Sequence, residues 1–257
     1  MLTFRSSLLL FILTLIGCFF LIYFYDISCW WLSLPVVCLK LLIIWGSANI
    51  QSNFYLKTLN GADTQKKEIA ITFDDGPNAL FTPKILNALA SEEAQATFFV
   101  IGKNINGNET LLQKINEAGH TIGGHSFSHG FMIDFKSKNG FIEEIVQTND
   151  LIHRTIGKRP RLFRPPYGVT TPNIASAVKA LNQEVIGWNV RSLDTTNDSA
   201  EKIMERIKKS LQPGSILLFH DTSDKTVDVL KQTLNFAKEN GFKVVSIEQL
   251  LNIKAYE

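Results

Sequence analysis

A few short stretches of this chain combine residue types that could do acid–base or metal chemistry. Asp74 and Asp75 are adjacent, preceded by the apolar run Ile69-Ala70-Ile71-Thr72-Phe73 and followed at once by Gly76-Pro77. The run reads as a buried strand. Its two carboxylates therefore stand at the mouth of a sheet, one able to point inward and the other along the rim. Like charges this close are costly to bury unpaired, and a metal cation is the most economical compensation. The plainer reading is an Asp-Gly-Pro turn. His125 and His129 place two imidazoles four residues apart, on one turn of helix or a turn entering one, where both can share a cation. Two imidazoles and one carboxylate form a facial set that leaves positions open for water and substrate. Which carboxylate joins them is a stereochemical question.

Phe163-Arg164-Pro165-Pro166-Tyr167-Gly168 is a stiff turn in which two prolines fix φ and remove two N–H groups. The Tyr167 N–H remains free to act as an oxyanion donor, and Arg164 can pair with a carboxylate. Leu217-Leu218-Phe219-His220-Asp221 ends an apolar strand in histidine. His220 is either a buried structural imidazole or a general acid oriented by a carboxylate. Asp194 is the candidate partner; Asp221, next in sequence, tends to face away. His120 reads as structural and His153 as a solvent-exposed position within a helix.

The elements that must position these residues alternate regularly. Strand patterns at 69–73, 96–101, 121–122, 162–163, 185–190, 215–219 and 243–247 are separated by amphipathic helical patterns. Thr82-Pro83, Asn108, Thr171-Pro172 and the Asp198/Glu201 capping box mark helix starts; Gly119 and Gly241 mark stops. Such alternation means βαβ units and a parallel sheet. About seven repeats suit an α/β fold closed into a distorted barrel, with its chemistry at the C-terminal ends of the strands. Asp74, Asp75, His125, Arg164, Asp194 and His220 all fall there.

A net charge of +2 with no basic stripe argues against a nucleic-acid partner. Cys18, Cys29 and Cys38 all lie in the apolar N-terminal part, which excludes thiol catalysis and a disulfide framework in the rest. Leu8–Tyr25 is an uncharged run of 18 residues, and Ile27–Trp45 gives 19 more with Lys40 as the only charge. Each is long enough, or nearly so, to cross a bilayer, and Tyr23, Tyr25, Trp30, Trp31 and Trp45 cluster near the ends. The expected organisation is a membrane hairpin over 1–46, a connector over 47–67, a catalytic domain over 68–250 and a tail over 251–257. Pro35 and Lys40 interrupt the second run, so one span plus an interfacial segment is the alternative.

Thr72-Phe-Asp-Asp-Gly-Pro77, His125-x-x-x-His129, Arg164-Pro-Pro-Tyr-Gly168 and Leu218-x-His220, in this order, resemble the polysaccharide deacetylase family of metal-dependent carbohydrate esterases. The resemblance covers about residues 68–250. It implies Asp74 as general base, Asp75, His125 and His129 as ligands of one divalent ion (zinc, with cobalt or nickel as alternatives), and His220 as general acid. Arg164 orients the base, Asp194 orients His220, and Tyr167 supplies the oxyanion N–H. Leu218 lines the acetyl pocket, with Pro165, Pro166 and Tyr167 completing the substrate contacts. One motif departs: the family's Asp-x-x-Asp-Trp is here Arg191-Ser-Leu-Asp194-Thr195. The implied reaction is hydrolysis of the N-acetyl group of an amino sugar in a glycan. A deacylase of a lipid-linked sugar and a catalytically silent carbohydrate-binding protein are the alternatives. The resemblance implies a barrel on the outer face of a bacterial-type membrane. Arg5, the N-terminal amine, Lys57, Lys66 and Lys67 instead favour both ends of a hairpin inside.

Overall fold

The computed structural model describes residues 2–257. The apolar part folds as α1 (Phe4–Tyr25), a 3₁₀ turn at Cys29–Leu32, and α2 (Ser33–Ala48). Both helical stretches are long and apolar enough to cross a membrane, and little of either is buried. Pro35 falls in the first turn of α2, where a missing N–H has no intrahelical partner to lose, so it does not break the helix.

The barrel follows: β1 (Glu68–Asp74), α3 (Thr82–Ser91), β2 (Ala96–Val100), α4 (Gly102–Ile105), α5 (Glu109–Glu117), β3 (Thr121–Gly124), α6 (Lys138–Ile156), β4 (Leu162–Phe163), α7 (Pro172–Ala180), β5 (Glu184–Val185), β6 (Val190–Arg191), α8 (Ala200–Ser210), β7 (Ile216–His220), α9 (Asp224–Glu239), β8 (Lys243–Val244) and α10 (Ile247–Leu251). Seven strands form one parallel path in the order β5-β4-β3-β2-β1-β7-β6, and β8 pairs with the start of β1. Its ends, β5 and β6, are joined by residues 186–189 alone. A flat path of seven strands is about 29 Å wide. The connection from Val185 to Val190 reaches at most about 18 Å. The sheet must therefore curl, as the sequence pattern predicts.

Alternation along β1 sorts its side chains. Ile69, Ile71 and Phe73 face the surrounding helices in the larger core, where Phe73 stacks on Phe98 and Phe219. Ala70 faces the opposite way, into a cluster with Phe99, Ile186, Trp188 and Leu218. Each such buried Ile or Phe contributes about 1.5–3 kcal/mol relative to exposure. Thr72 and Asp74 share the inward parity of Ala70, and His220 shares that of Leu218.

Several local expectations are corrected. The run 185–190 is not one strand: the Ile186 and Gly187 carbonyls accept from Arg164 instead of from a neighbouring strand. The last strand ends at Val244, because the Ser246 side chain caps α10. Phe81 occupies the N-cap of α3, leaving the Thr82 hydroxyl to bond Asp221. Ser199 caps α8, while Asp198 pairs with Lys202 and Arg206. In the connector, Ile50 is buried beside Trp188 and Ile186, and Leu59 forms a bridge to Ile186. At the C-terminus the Tyr256 hydroxyl accepts from the Ile122 N–H.

Candidate active site

Asp74 is the last residue of β1, and among the described residues only one of its oxygens accepts a hydrogen bond. Oδ1 accepts from Arg164 Nη1 at 2.7 Å, and Oδ2 lies 3.8 Å from His125 Nε2. Arg164 is wholly buried, yet every face of its guanidinium is used. It also donates to the Thr72 hydroxyl and to the Ile186 and Gly187 carbonyls, and it lies over the Phe99 ring at 4.1 Å. A buried ion pair survives desolvation only with this kind of saturation.

Asp75 turns away from the ladder with φ 77°, putting its carboxylate at the rim. Asn104 holds the Asp75 carbonyl at 2.7 Å. Gly76 rests on the Asp221 carboxylate, leaving no room there for a Cβ. Asp221 therefore faces away from His220. It bonds Thr82, and burial raises its pKa to about 7.

His125 and His129 lie not on a helix but in an irregular turn after β3, with Ser126 at φ 61° and His129 at φ 45°. Left-handed non-glycine residues cost of order 1–3 kcal/mol each and must be over-determined by their surroundings. Glu144 on α6 does this. It accepts from the Phe127 N–H at 2.8 Å and the Ser128 N–H at 2.7 Å, and pairs with Lys136. Burial opposes its charge, but the bonds from Lys136 and Ser128 outweigh that and hold the carboxyl below its ordinary range. The sequence reading missed Glu144; its only signal is an acid on the buried face of an amphipathic helix.

Asp75, His125 and His129 offer ligand atoms all within 4.8 Å of one another. The Asp75 Oδ1 lies 3.7 Å from His125 Nε2 and 3.6 Å from His129 Nε2. Ligands of a tetrahedral ion at 2.0–2.2 Å stand about 3.3–3.5 Å apart, so the set fits a divalent ion after a small contraction. His125 Nδ1 lies 2.7 Å from the Arg164 carbonyl. Donation to that oxygen fixes the tautomer with the Nε2 lone pair facing Asp75. Burial, then the neighbouring His125, lower the His129 pKa and favour the neutral ligating form.

On the neighbouring strand β7, where His220 stands in register with Asp74, His220 Nδ1 lies 2.9 Å from Asp194 Oδ1, and Asp194 Oδ2 accepts from the His220 N–H and from Thr226. Burial resists both charges. The mutual bond outweighs it, lowering the Asp194 pKa and raising that of His220. Tyr167 adopts φ 57° beyond the two buried prolines. Its N–H makes no hydrogen bond among the described residues, and its half-exposed ring packs 4.6 Å from His129. Leu218 is buried two residues before His220 on the same face of β7. Arg191 is exposed and lies 5.8 Å over the Trp188 ring; Thr195 is exposed. His120 accepts from the Ala96 N–H and packs on Phe98, a structural role, while His153 is exposed.

Comparison with known proteins places this geometry. Residues 61–186 match the profile of the family described as polysaccharide deacetylase. A peptidoglycan-N-acetylglucosamine deacetylase of Bacillus cereus is 32% identical over 189 residues, covering 72% of this chain and 68% of that protein. The peptidoglycan-N-acetylmuramic acid deacetylase PdaC of Bacillus subtilis is 33% identical over 193 residues, covering 75% of this chain but only 40% of that longer protein. The crystal structure of the Bc1960 peptidoglycan N-acetylglucosamine deacetylase superposes with TM-score 0.74 at 29% identity, covering 77% of this chain and 94% of that one. With its curled parallel sheet and the acid, imidazole and arginine residues at the strand ends, the chain belongs to the polysaccharide deacetylase family.

Proposed function

We propose that the protein hydrolyses the N-acetyl group of an amino sugar in a glycan, releasing acetate and a free amine. The observation that carries this reading is the presence of two separately held stations on one rim, at the ends of the adjacent strands β1 and β7. Asp74 is held by Arg164 beside Asp75, His125 and His129, and His220, in register with Asp74 on the next strand, is held by Asp194. Asp75, His125 and His129 would hold one divalent ion, zinc by ligand type, with cobalt or nickel compatible. Such an ion supplies Lewis acidity toward an amide carbonyl and lowers the pKa of water to about 7 in favourable cases.

The chain's own residues do the rest. Asp74 Oδ2, with Oδ1 occupied by Arg164, accepts the proton of the attacking water. The Tyr167 N–H donates to the oxyanion of the tetrahedral species. His220, kept protonated by Asp194, gives its Nε2 proton to the departing amine nitrogen. Leu218, Pro165 and Pro166 present apolar surface for the acetyl methyl. Incubating the full-length protein with an acetylated glucosamine oligomer and detecting acetate tests the reading. Metal-loaded protein that releases none would leave the silent binding alternative standing.

The ligand set has its own test. Wild-type protein should carry about one tightly held ion per chain, measured by elemental analysis after gel filtration. The His125→Ala/His129→Ala protein should carry none while its circular dichroism stays that of a folded barrel. A wild type that retains no metal after loading overturns the assignment.

The His220–Asp194 pair predicts a pH signature. His220 is the acid, and its pKa is raised, so turnover falls as pH climbs through that raised value. Asp194→Asn removes the carboxylate, lets burial depress the imidazole, and should move the alkaline limb to lower pH without loss of metal. The same pair should stabilise the fold fully between roughly pH 4 and 6.5. Its contribution is lost as pH falls through the lowered Asp194 value or rises through the raised His220 value. An unmoved alkaline limb would show that another group sets it.

The N-terminal helices support a membrane anchor under this reading, with the barrel proposed on the outer face. Digestion of the barrel by external protease only after lysis would reverse that side.

A further inference from the structure

The segment between His129 and α6 is exposed in an unusual way. Phe131 is 87% exposed, Phe135 79% and Met132 60%, while Ile133 between them is fully buried against Phe141 and Ile174. Large apolar side chains this exposed, and grouped, mark an interaction surface. Ile133 fixes the backbone, so the three outer side chains are presented and not merely frayed. Exposed Lys138 flanks this apolar tip, while Lys136 pairs with Glu144 and Asp134 lies within the segment.

This tip lies close, through hydrogen bonds, to the base of the two apolar helices. The last turn of α2 is hydrogen-bonded to the turn that carries Tyr167: the Thr170 N–H donates to the Ser47 carbonyl at 3.0 Å, and the Thr170 hydroxyl to that of Gly46. The start of α1 is pinned beside it by the Phe4 N–H to the Phe54 carbonyl. Trp45, Phe54, Phe4 and Tyr55 form an aromatic cluster there, as expected where a helix leaves a bilayer. From the same turn, the Tyr167 ring packs on His129, and Asn173 at the start of α7 bonds the Lys136 carbonyl at 3.0 Å. The apolar tip is thus tied, through one short turn, to the base of the helical pair. No free linker separates the two, because Ile50 is already in the barrel core.

We infer that Phe131, Met132 and Phe135 seat in the headgroup region of the bilayer that α1 and α2 enter, so that the mouth of the site is held against the membrane surface. Large apolar side chains beside an exposed lysine are a composition that favours such a partial, interfacial insertion. The amino sugars best placed to reach His129 and Tyr167 are then those carried on a membrane lipid, which sharpens the substrate class of the proposed reaction. The inference rests on the reading of α1 and α2 as a membrane anchor.

The test uses the full chain with Cys18, Cys29 and Cys38 changed to alanine and one new cysteine, at Phe131→Cys or Phe135→Cys. Each is labelled with an environment-sensitive fluorophore and reconstituted into phosphatidylcholine/phosphatidylglycerol vesicles containing spin-labelled lipid. Glu239→Cys is the reference, exposed at the end of α9 on the opposite rim. Flotation with the vesicles, together with blue-shifted and quenched emission at 131 and 135 but not at 239, is the expected result. Failure to float removes the anchor and this inference with it. Flotation without quenching at 131 and 135 overturns the inference and leaves the anchor intact. A Phe131→Ser/Met132→Ser/Phe135→Ser protein should lose about tenfold or more in turnover of a vesicle-borne acetylated glycolipid, while a soluble acetylated oligosaccharide is turned over as before. An equal loss on both substrates would make the tip a sugar platform and overturn the inference.

Discussion

Asp74→Asn is expected to lower acetate release by about 10²–10⁴-fold, the range for a positioned acid or base. The amide keeps nearly the shape of the carboxylate, so Oδ1 can still accept from Arg164, and Asp75, His125 and His129 are untouched. Under the proposed mechanism only the proton acceptor is removed. Metal content and affinity for a sugar product should therefore stay close to wild type, so that the loss appears in kcat and not in KM. Activity equal to wild type would transfer the role of base to another group. Loss of metal together with activity would mean that Asp74, whose Oδ2 lies 3.8 Å from His125 Nε2, is a ligand.

Arg164→Met should do more damage to the fold than any substitution at the rim. Methionine fills part of the volume but leaves the Asp74 carboxylate and the Ile186 and Gly187 carbonyls without their donor, all in buried surroundings. Removing one partner of a buried ion pair typically costs about 3–5 kcal/mol, much of it from the charge left behind. Two-state denaturation of the barrel should show a loss of that size. The Arg164→Met/Asp74→Leu protein, which has no orphaned charge, should recover part of it without recovering activity. If the single variant is as stable as wild type, the guanidinium is not what holds residues 186–189 across the seam of the sheet.

The contrast between those two residues explains what was readable beforehand. Asp74, Asp75, His125, Arg164, Asp194 and His220 stand at strand ends, where an apolar run stops at a polar residue. That junction is local, so it can be read from neighbours in sequence. The choice between Asp194 and Asp221 as partner of His220 could be narrowed in the same way, since adjacent strand residues face opposite sides. Glu144 was invisible because its partners, Phe127 and Ser128, lie in a loop with no period of its own. The break between β5 and β6 was invisible too. Its apolar pattern is that of a strand, and only Arg164, more than twenty residues earlier, takes the carbonyls away. The approach of Arg191 to the Trp188 ring is a local contact, three residues apart, at a position that the departure from the family motif had marked.

The strand order also sets a timetable for synthesis. β1 is flanked by β2 on one side and by β7 on the other, and β7 supplies His220 opposite Asp74. The ribosome makes α1 and α2 before β1, and reaches β7 only after about 140 further residues. At about 5–20 residues per second that interval is roughly 7–30 s. During it one edge of β1, carrying Asp74, waits without its neighbour, while the apolar pair ahead of it is already available to the insertion machinery. The two halves of the candidate rim therefore meet only after the apolar pair has had time to reach a membrane. If α1 and α2 anchor the chain as proposed, the barrel is assembled in place beside them, and a chain that misses insertion would expose an unpaired β1 edge and an apolar hairpin together.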